Sequence, residues 1–110
     1  MASISIEFYD GGTGIITASF MDETGVATTP SALVWTLMTS SREIVNGRED
    51  VIVSPIDSTV EIVLSGNDLR YSDSPARIIR FDGLYNSSLG VDLPIVDYAV
   101  FKILDVPEPV

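Results

Sequence analysis

Thr59-Val60-Glu61-Ile62-Val63-Leu64-Ser65 is the stretch that decides the fold. Its alternation puts Val60, Ile62 and Leu64 on one side, the period of a half-buried β-strand rather than of a helix. The same period recurs outward from it. Towards the N-terminus, Ser3–Phe8 aligns Ile4, Ile6 and Phe8, Ile15 to Met21 aligns Ile16, Ala18 and Phe20, and Ala32 to Thr39 aligns Leu33, Trp35 and Leu37. Glu43-Ile44-Val45 reads as a short strand entering a primed hairpin turn at Asn46-Gly47, followed by Val51-Ile52-Val53. Towards the C-terminus, Ala76 to about Tyr85 aligns Ile79 with Phe81, and about Asp97 to Val106 aligns Phe101 with Ile103. Between them stand turn signals at Asp10–Gly14, Asp22–Gly25, Thr28–Ser31 and Ser54-Pro55. Gly66–Tyr71 suits one helical turn or a compact loop, and Pro107-Glu108-Pro109 ends the domain. Seven or eight short strands without a longer helix predict an all-β sandwich or barrel. A single Trp on a central strand favours the sandwich.

The 110 residues are expected to form one domain, 1–110, with enough apolar content (45 %) for one two-layer core. Sixteen acids against six bases leave a formal charge of −10. That balance disfavours nucleic acid, whose phosphates call for Lys and Arg, and equally an anionic membrane. No basic residue precedes Arg42, so no signal peptide is predicted, and no apolar run reaches membrane-spanning length. Five of the six bases lie between Arg42 and Arg80 while residues 1–41 carry four acids and none, which predicts a strongly negative end or face.

Catalytic chemistry finds little to use. With no Cys and no His, the thiolate nucleophile, the disulfide and the commonest general base and metal ligand are all missing. Lys102, the only lysine, stands mid-strand with no serine partner implied, and no pair of carboxylates suggests glycosidase chemistry. The expectation is no enzyme, no cofactor and no metal. Asp10-Gly11-Gly12-Thr13-Gly14 precedes a strand instead of a helix and has no lysine nearby, so it reads as a turn, not a phosphate cradle. Asp22, Glu23, Asp68, Asp73, Asp82, Asp92 and Asp97 lie near predicted loops and strand ends, but without calcium-loop spacing they read as solvated charge. The Asn86-Ser87-Ser88 sequon matters only in a eukaryotic secretory pathway.

Surface hydrophobicity is the more informative signal. Opposite the core set lie Ile15, Met21, Val34, Met38, Val63, Ile78 and Val100, where a lone sandwich should be mainly polar. Either loops cover them or they form contact patches. Residues 84–97 join the last two strands through a connection long for a hairpin and apolar for a loop: a binding loop, or a strand extension with a bulge. Tyr85, Leu89, Val91, Leu93 and Ile95 in that segment, and the edge near Ile4, Ile6 and Phe8, are the candidate interface residues. Tyr9, Tyr71, Tyr85 and Tyr98 suit interfaces or ordinary half-burial, whereas Trp35, in phase with Leu33 and Leu37, reads as core.

The order of these features resembles an immunoglobulin-like antiparallel β-sandwich of seven to eight strands. The resemblance rests on the opening strand, Asp22–Gly25, Pro30 and Trp35, the Asn46-Gly47 hairpin, and Val60-x-Ile62-x-Leu64-Ser65-Gly66-x-Asp68-Leu69. It continues through Arg77-x-Ile79-x-Phe81-x-Gly83-x-Tyr85 to Phe101-x-Ile103. The paired cysteines of antibody domains are absent. The size, the acidity and the lack of Cys and His are similar to small accessory virion proteins of tailed bacteriophages: capsid decoration, neck and tail subunits. That resemblance implies a non-enzymatic subunit of an oligomeric assembly, made in the host cytoplasm and located in the virion, binding other virion proteins. It also implies an exposed face touching host surface glycans. The alternative is a carbohydrate-binding or adhesion module, with a calcium-dependent adhesin third.

Overall fold

The computed structural model describes residues 7–72 and 74–106. Its strands are β1 (Glu7–Tyr9), β2 (Thr13–Ser19), β3 (Ala32–Met38), β4 (Val51–Ile52), β5 (Thr59–Ser65), β6 (Ala76–Ser87) and β7 (Gly90–Leu104). A 3₁₀ turn covers Gly66–Leu69, where the sequence allowed a helical turn or a loop. Ile4, Ile6, Asp73 and Pro107-Glu108-Pro109 lie outside the described residues.

The strands form two sheets, one ordered β1-β7-β6-β3-β4 and the other β2-β5. A β2–β5 pair facing a β3-β6-β7 sheet that β4 widens is the arrangement of the immunoglobulin sandwich. The fold is therefore an immunoglobulin-like β-sandwich. One pair departs from the antiparallel expectation: β1 runs parallel to β7, with Glu7 opposite Lys102 and Tyr9 opposite Leu104. Nearly the whole chain separates these two strands, so no hairpin forces them antiparallel.

The alternation sets meet between the sheets. Ile16 and Phe20 from β2 and the chain after it, Leu33, Trp35 and Leu37 from β3, and Val60, Ile62 and Leu64 from β5 are buried with Ile79, Phe81, Phe101 and Ile103. Each such side chain contributes about 1.5–3 kcal/mol by leaving water. Phe20 meets Phe81 edge-on at 5.8 Å, and Phe8 meets Phe101 at 5.2 Å. Gly14 lies in β2, paired with Leu64, not in the turn; glycine suits the position because a Cβ there would stand 2.6 Å from the Phe8 ring. The turn itself is confined to Asp10-Gly11, with the Gly12 N–H donating to the Tyr9 carbonyl at 2.9 Å. The primed turn forms as expected, with φ 53° at Asn46 and 67° at Gly47. The strand before it shrinks to one bridge from Ile44 to Met38, since both flanks of the turn bond to Leu37 instead of to each other's neighbours.

Two charged residues are buried, Asp68 against expectation. Asp68, which the sequence placed among solvated acids, is fully buried and accepts hydrogen bonds from Asn46 Nδ2 (2.9 Å), Arg48 Nε (2.9 Å) and the Ser65 N–H (3.1 Å). Burial pushes its carboxyl up, but the donors from Arg48, Asn46 and Ser65 outweigh it and hold the group below the usual carboxylate range. Arg77 is also fully buried, and its guanidinium donates to four backbone carbonyls, those of Asp68, Arg70, Ser74 and Ala76. Together they tie the 3₁₀ turn and the chain after it to the start of β6.

The segment 84–97 is not a loop. It is the strand extension, with a register shift between Tyr85 and Ser87. Asp92 takes φ 55°, and its N–H donates to Asn86 Oδ1 at 2.9 Å, which marks the bulge. Only the two-residue turn Ser88-Leu89 separates the strands. At about 3.4 Å per residue, the 15-residue β7 runs most of the molecule's 60 Å long axis.

Candidate functional site

Register decides what the outer face of the five-stranded sheet displays. Inward residues on β3, β6 and β7 are Trp35, Phe81 and Ala99 and those two positions away, so the intervening ones point out. Pairing then lines the outward residues into three rows. Ile52, Val34, Asp82 and Val96 form one. Thr36, Arg80 and Tyr98 form the next. Met38, Ile78 and Val100 form the third, extended by Ile44 across its bridge. These rows border an open groove of about 660 Å³, lined among others by Met38, Ile78, Arg80, Asp82, Val96 and Tyr98.

Exposed aliphatic side chains flank a closed ion pair on this face, and Arg42, Glu49, Asp50 and Asp97 also line its groove. Ile52 is 78 % and Val96 63 % exposed, and Tyr98 and Val100 are also exposed. Between them Arg80 closes a bidentate pair on Asp82, with Nε to Oδ2 and Nη2 to Oδ1 both 2.9 Å. The Asp82 carboxylate raises the Arg80 pKa. A charge already paired within one copy costs less to cover than a free one.

Beyond Leu84, the last β6 residue paired with β3, the β6–β7 hairpin continues as a two-stranded arm among the described residues. Alternation splits the candidates on it. Leu89 and Val91 near its tip are 71 % and 75 % exposed. Tyr85 and Leu93 are half-buried and paired across the arm. Ile95 and Phe8 are also half-buried, and both pack against the core. The turn after β2 props the arm: Glu23 Oε1 accepts from Ser87 Oγ at 2.6 Å and from the Tyr85 hydroxyl at 3.3 Å. Burial first, then the Glu23 carboxylate, pushes the Tyr85 phenol up. That turn is itself held by Asp22, which accepts from the Thr24 hydroxyl and the Thr24 and Val26 amides. The Thr24 hydroxyl and the Val26 amide keep the Asp22 carboxyl below its ordinary value.

The outward apolar set read from the sequence as one face lies on two opposite faces. Val34, Met38, Ile78 and Val100 belong to the rows above. Ile15 and Val63 stand directly opposite each other on the β2–β5 sheet, and Met21 lies beyond them in an isolated bridge to Ala27. Ile52, Val96 and the Arg80–Asp82 pair were missed. Continuing the parity of Phe101 and Ile103 back through Pro94 would have found Val96. Among the described residues no three carboxylates converge as a metal would need, and no helix is long and apolar enough to cross a membrane.

No protein-family model and no curated protein matches the chain. Among solved structures it is similar to the extracellular domain of the voltage-gated sodium channel beta4 subunit, described as parallel homodimers that explain a role in cell–cell adhesion. The identity is 13 % over 96 % of this chain and 93 % of that one, with a TM-score of 0.48.

Proposed function

We propose that this domain is a non-catalytic protein-interaction module whose outer sheet face and β6–β7 arm seat a neighbouring protein. The observation that carries the reading is the row Ile52–Val34–Asp82–Val96, which keeps large aliphatic side chains in water at both ends beside a self-neutralised ion pair. Exposed apolar groups organised in register are what an interface core requires. The finer reading is a subunit of a tailed-phage virion, supported by the acidity, the lack of Cys and His and the resemblance of the sequence to such accessory proteins. A virion subunit co-sediments with intact particles through a density gradient. Ile52→Ser with Val96→Ser then lowers its recovery at least tenfold while the melting temperature holds. A chain found only in the free fraction sinks the virion reading.

A carbohydrate-binding or adhesion module is the second reading. It draws on Tyr98, whose exposed ring neighbours Arg80 across the β6–β7 ladder, an aromatic platform beside polar groups. Retention on a polysaccharide column that Tyr98→Ala abolishes would favour it over the first.

A further inference from the structure

The two-stranded sheet ends on an open edge beside a groove. In an antiparallel ladder, alternate residues direct both N–H and C=O to the same side. The bonds from Gly66 N–H to Gly12 O (3.0 Å) and from Phe20 N–H to Ser58 O (2.8 Å) set the phase of the β2–β5 pair. Val60, Ile62 and Leu64 therefore address β2, while Thr59, Glu61, Val63 and Ser65 address the far side. Ser65 agrees with this phase, since its N–H is taken by Asp68. The backbone groups of Thr59, Glu61 and Val63 meet no partner among the described residues.

Along that edge runs a groove of about 470 Å³, with Trp35 among its lining and Val53, Ser54 and Pro55 opposite β5. Its charged lining residues, among those described, are Asp57 and Glu61, with no base. An added strand would find up to six backbone hydrogen bonds from three residues and an apolar lining for alternate side chains. A second copy fits poorly, because juxtaposed edges would bring Glu61 and Asp57 against their own counterparts on a chain of net charge −10.

We propose that the β5 edge accepts an extended segment of a partner protein, about five residues long, apolar at alternate positions and Lys- or Arg-bearing between them. This rests on the protein-interaction reading but uses the β5 edge, whose groove shares Ile52 with the outer-face rows. The separating variants are therefore Val96→Ser, which alters no residue of the groove, and Glu61→Pro, which leaves the rows of the five-stranded sheet in place; with these the two readings fail separately.

The test is amide hydrogen exchange on the whole chain with an end-capped peptide of alternating Lys and Val. Exchange at Thr59, Glu61 and Val63 should slow at least tenfold at saturation, while Val60, Ile62 and Leu64 stay unchanged. The same peptide with Glu in place of Lys should give no protection. Glu61→Pro removes one outward N–H, which an edge strand tolerates, and should abolish the effect. If that variant does not fold, Glu61→Lys keeps every backbone group and should weaken the peptide at least fivefold. Unchanged exchange at the three amides at millimolar peptide, or equal protection by the Glu peptide, overturns the proposal. So does a dimer of the chain alone that Glu61→Pro or Glu61→Lys disperses, which would assign the edge to a second copy.

Discussion

Asp68 carries more structural consequence than any other acid described. One carboxylate joins the Asn46-Gly47 turn, with Arg48 just after it, to the entrance of the 3₁₀ turn, two segments with no continuous ladder between them. Removing its charge strands donors that were satisfied in the interior, so Asp68→Asn should cost about 2 kcal/mol at neutral pH by denaturant titration. The pH dependence has a definite sign. The folded carboxyl lies below its ordinary value of 3.8, so its contribution is complete above the unfolded value and disappears as pH falls through the lower folded one. A stability profile from pH 7 to 2 should show that acid limb in the native chain and a shallower one in Asp68→Asn. Identical limbs would mean that other carboxylates set the acid sensitivity.

At the scale of elements, the β6–β7 hairpin does two jobs in succession. From Ala76 to Leu84 and from Pro94 to Leu104 it is the middle of the sandwich. From Tyr85 to Leu93 it leaves β3 behind and stands as an arm. The two parts should respond differently to substitution. Leu89→Ser with Val91→Ser exposes nothing new and should shift folding stability by under about 1 kcal/mol while weakening partner binding. Gly83→Ala lies in the sandwich part, where a Cβ would run into the Ala32 carbonyl and crowd Leu33. It should cost about 1–3 kcal/mol through forced strand separation. Thermal melts of the two variants, side by side, separate display from support.

At the scale of the whole molecule, a formal charge of −10 is spread over a 60 × 24 × 22 Å body. Self-repulsion keeps such a chain apart from its copies but works against compaction. At 0.1 M salt the screening length is about 10 Å, shorter than the long axis, so salt should relieve that strain. The melting temperature should therefore rise between low salt and 0.5 M sodium chloride. A flat or falling curve would mean that local ion pairs such as Arg80–Asp82 outweigh the overall repulsion.

Strand identity, the inward sets and the primed turn were legible in the residues themselves, because period two and left-handed turn positions are local properties of consecutive side chains. Trp35 and Leu64 could be assigned to the core without a partner in view. Assembly decided the rest. Whether 84–97 is a loop or an arm depended on its two halves pairing with each other across the Ser88-Leu89 turn, and Val96 gained its place beside Asp82 from the same β6–β7 register. Asp68 looks like any surface charge in one dimension, whereas Arg77 stands in phase with Ile79 and Phe81. What satisfies them in the interior is Arg48 and Asn46 for the one and the carbonyls of Asp68, Arg70, Ser74 and Ala76 for the other, converging in space. Alternation tells which way a side chain points relative to its neighbours, but only the packed sheets decide what it meets there.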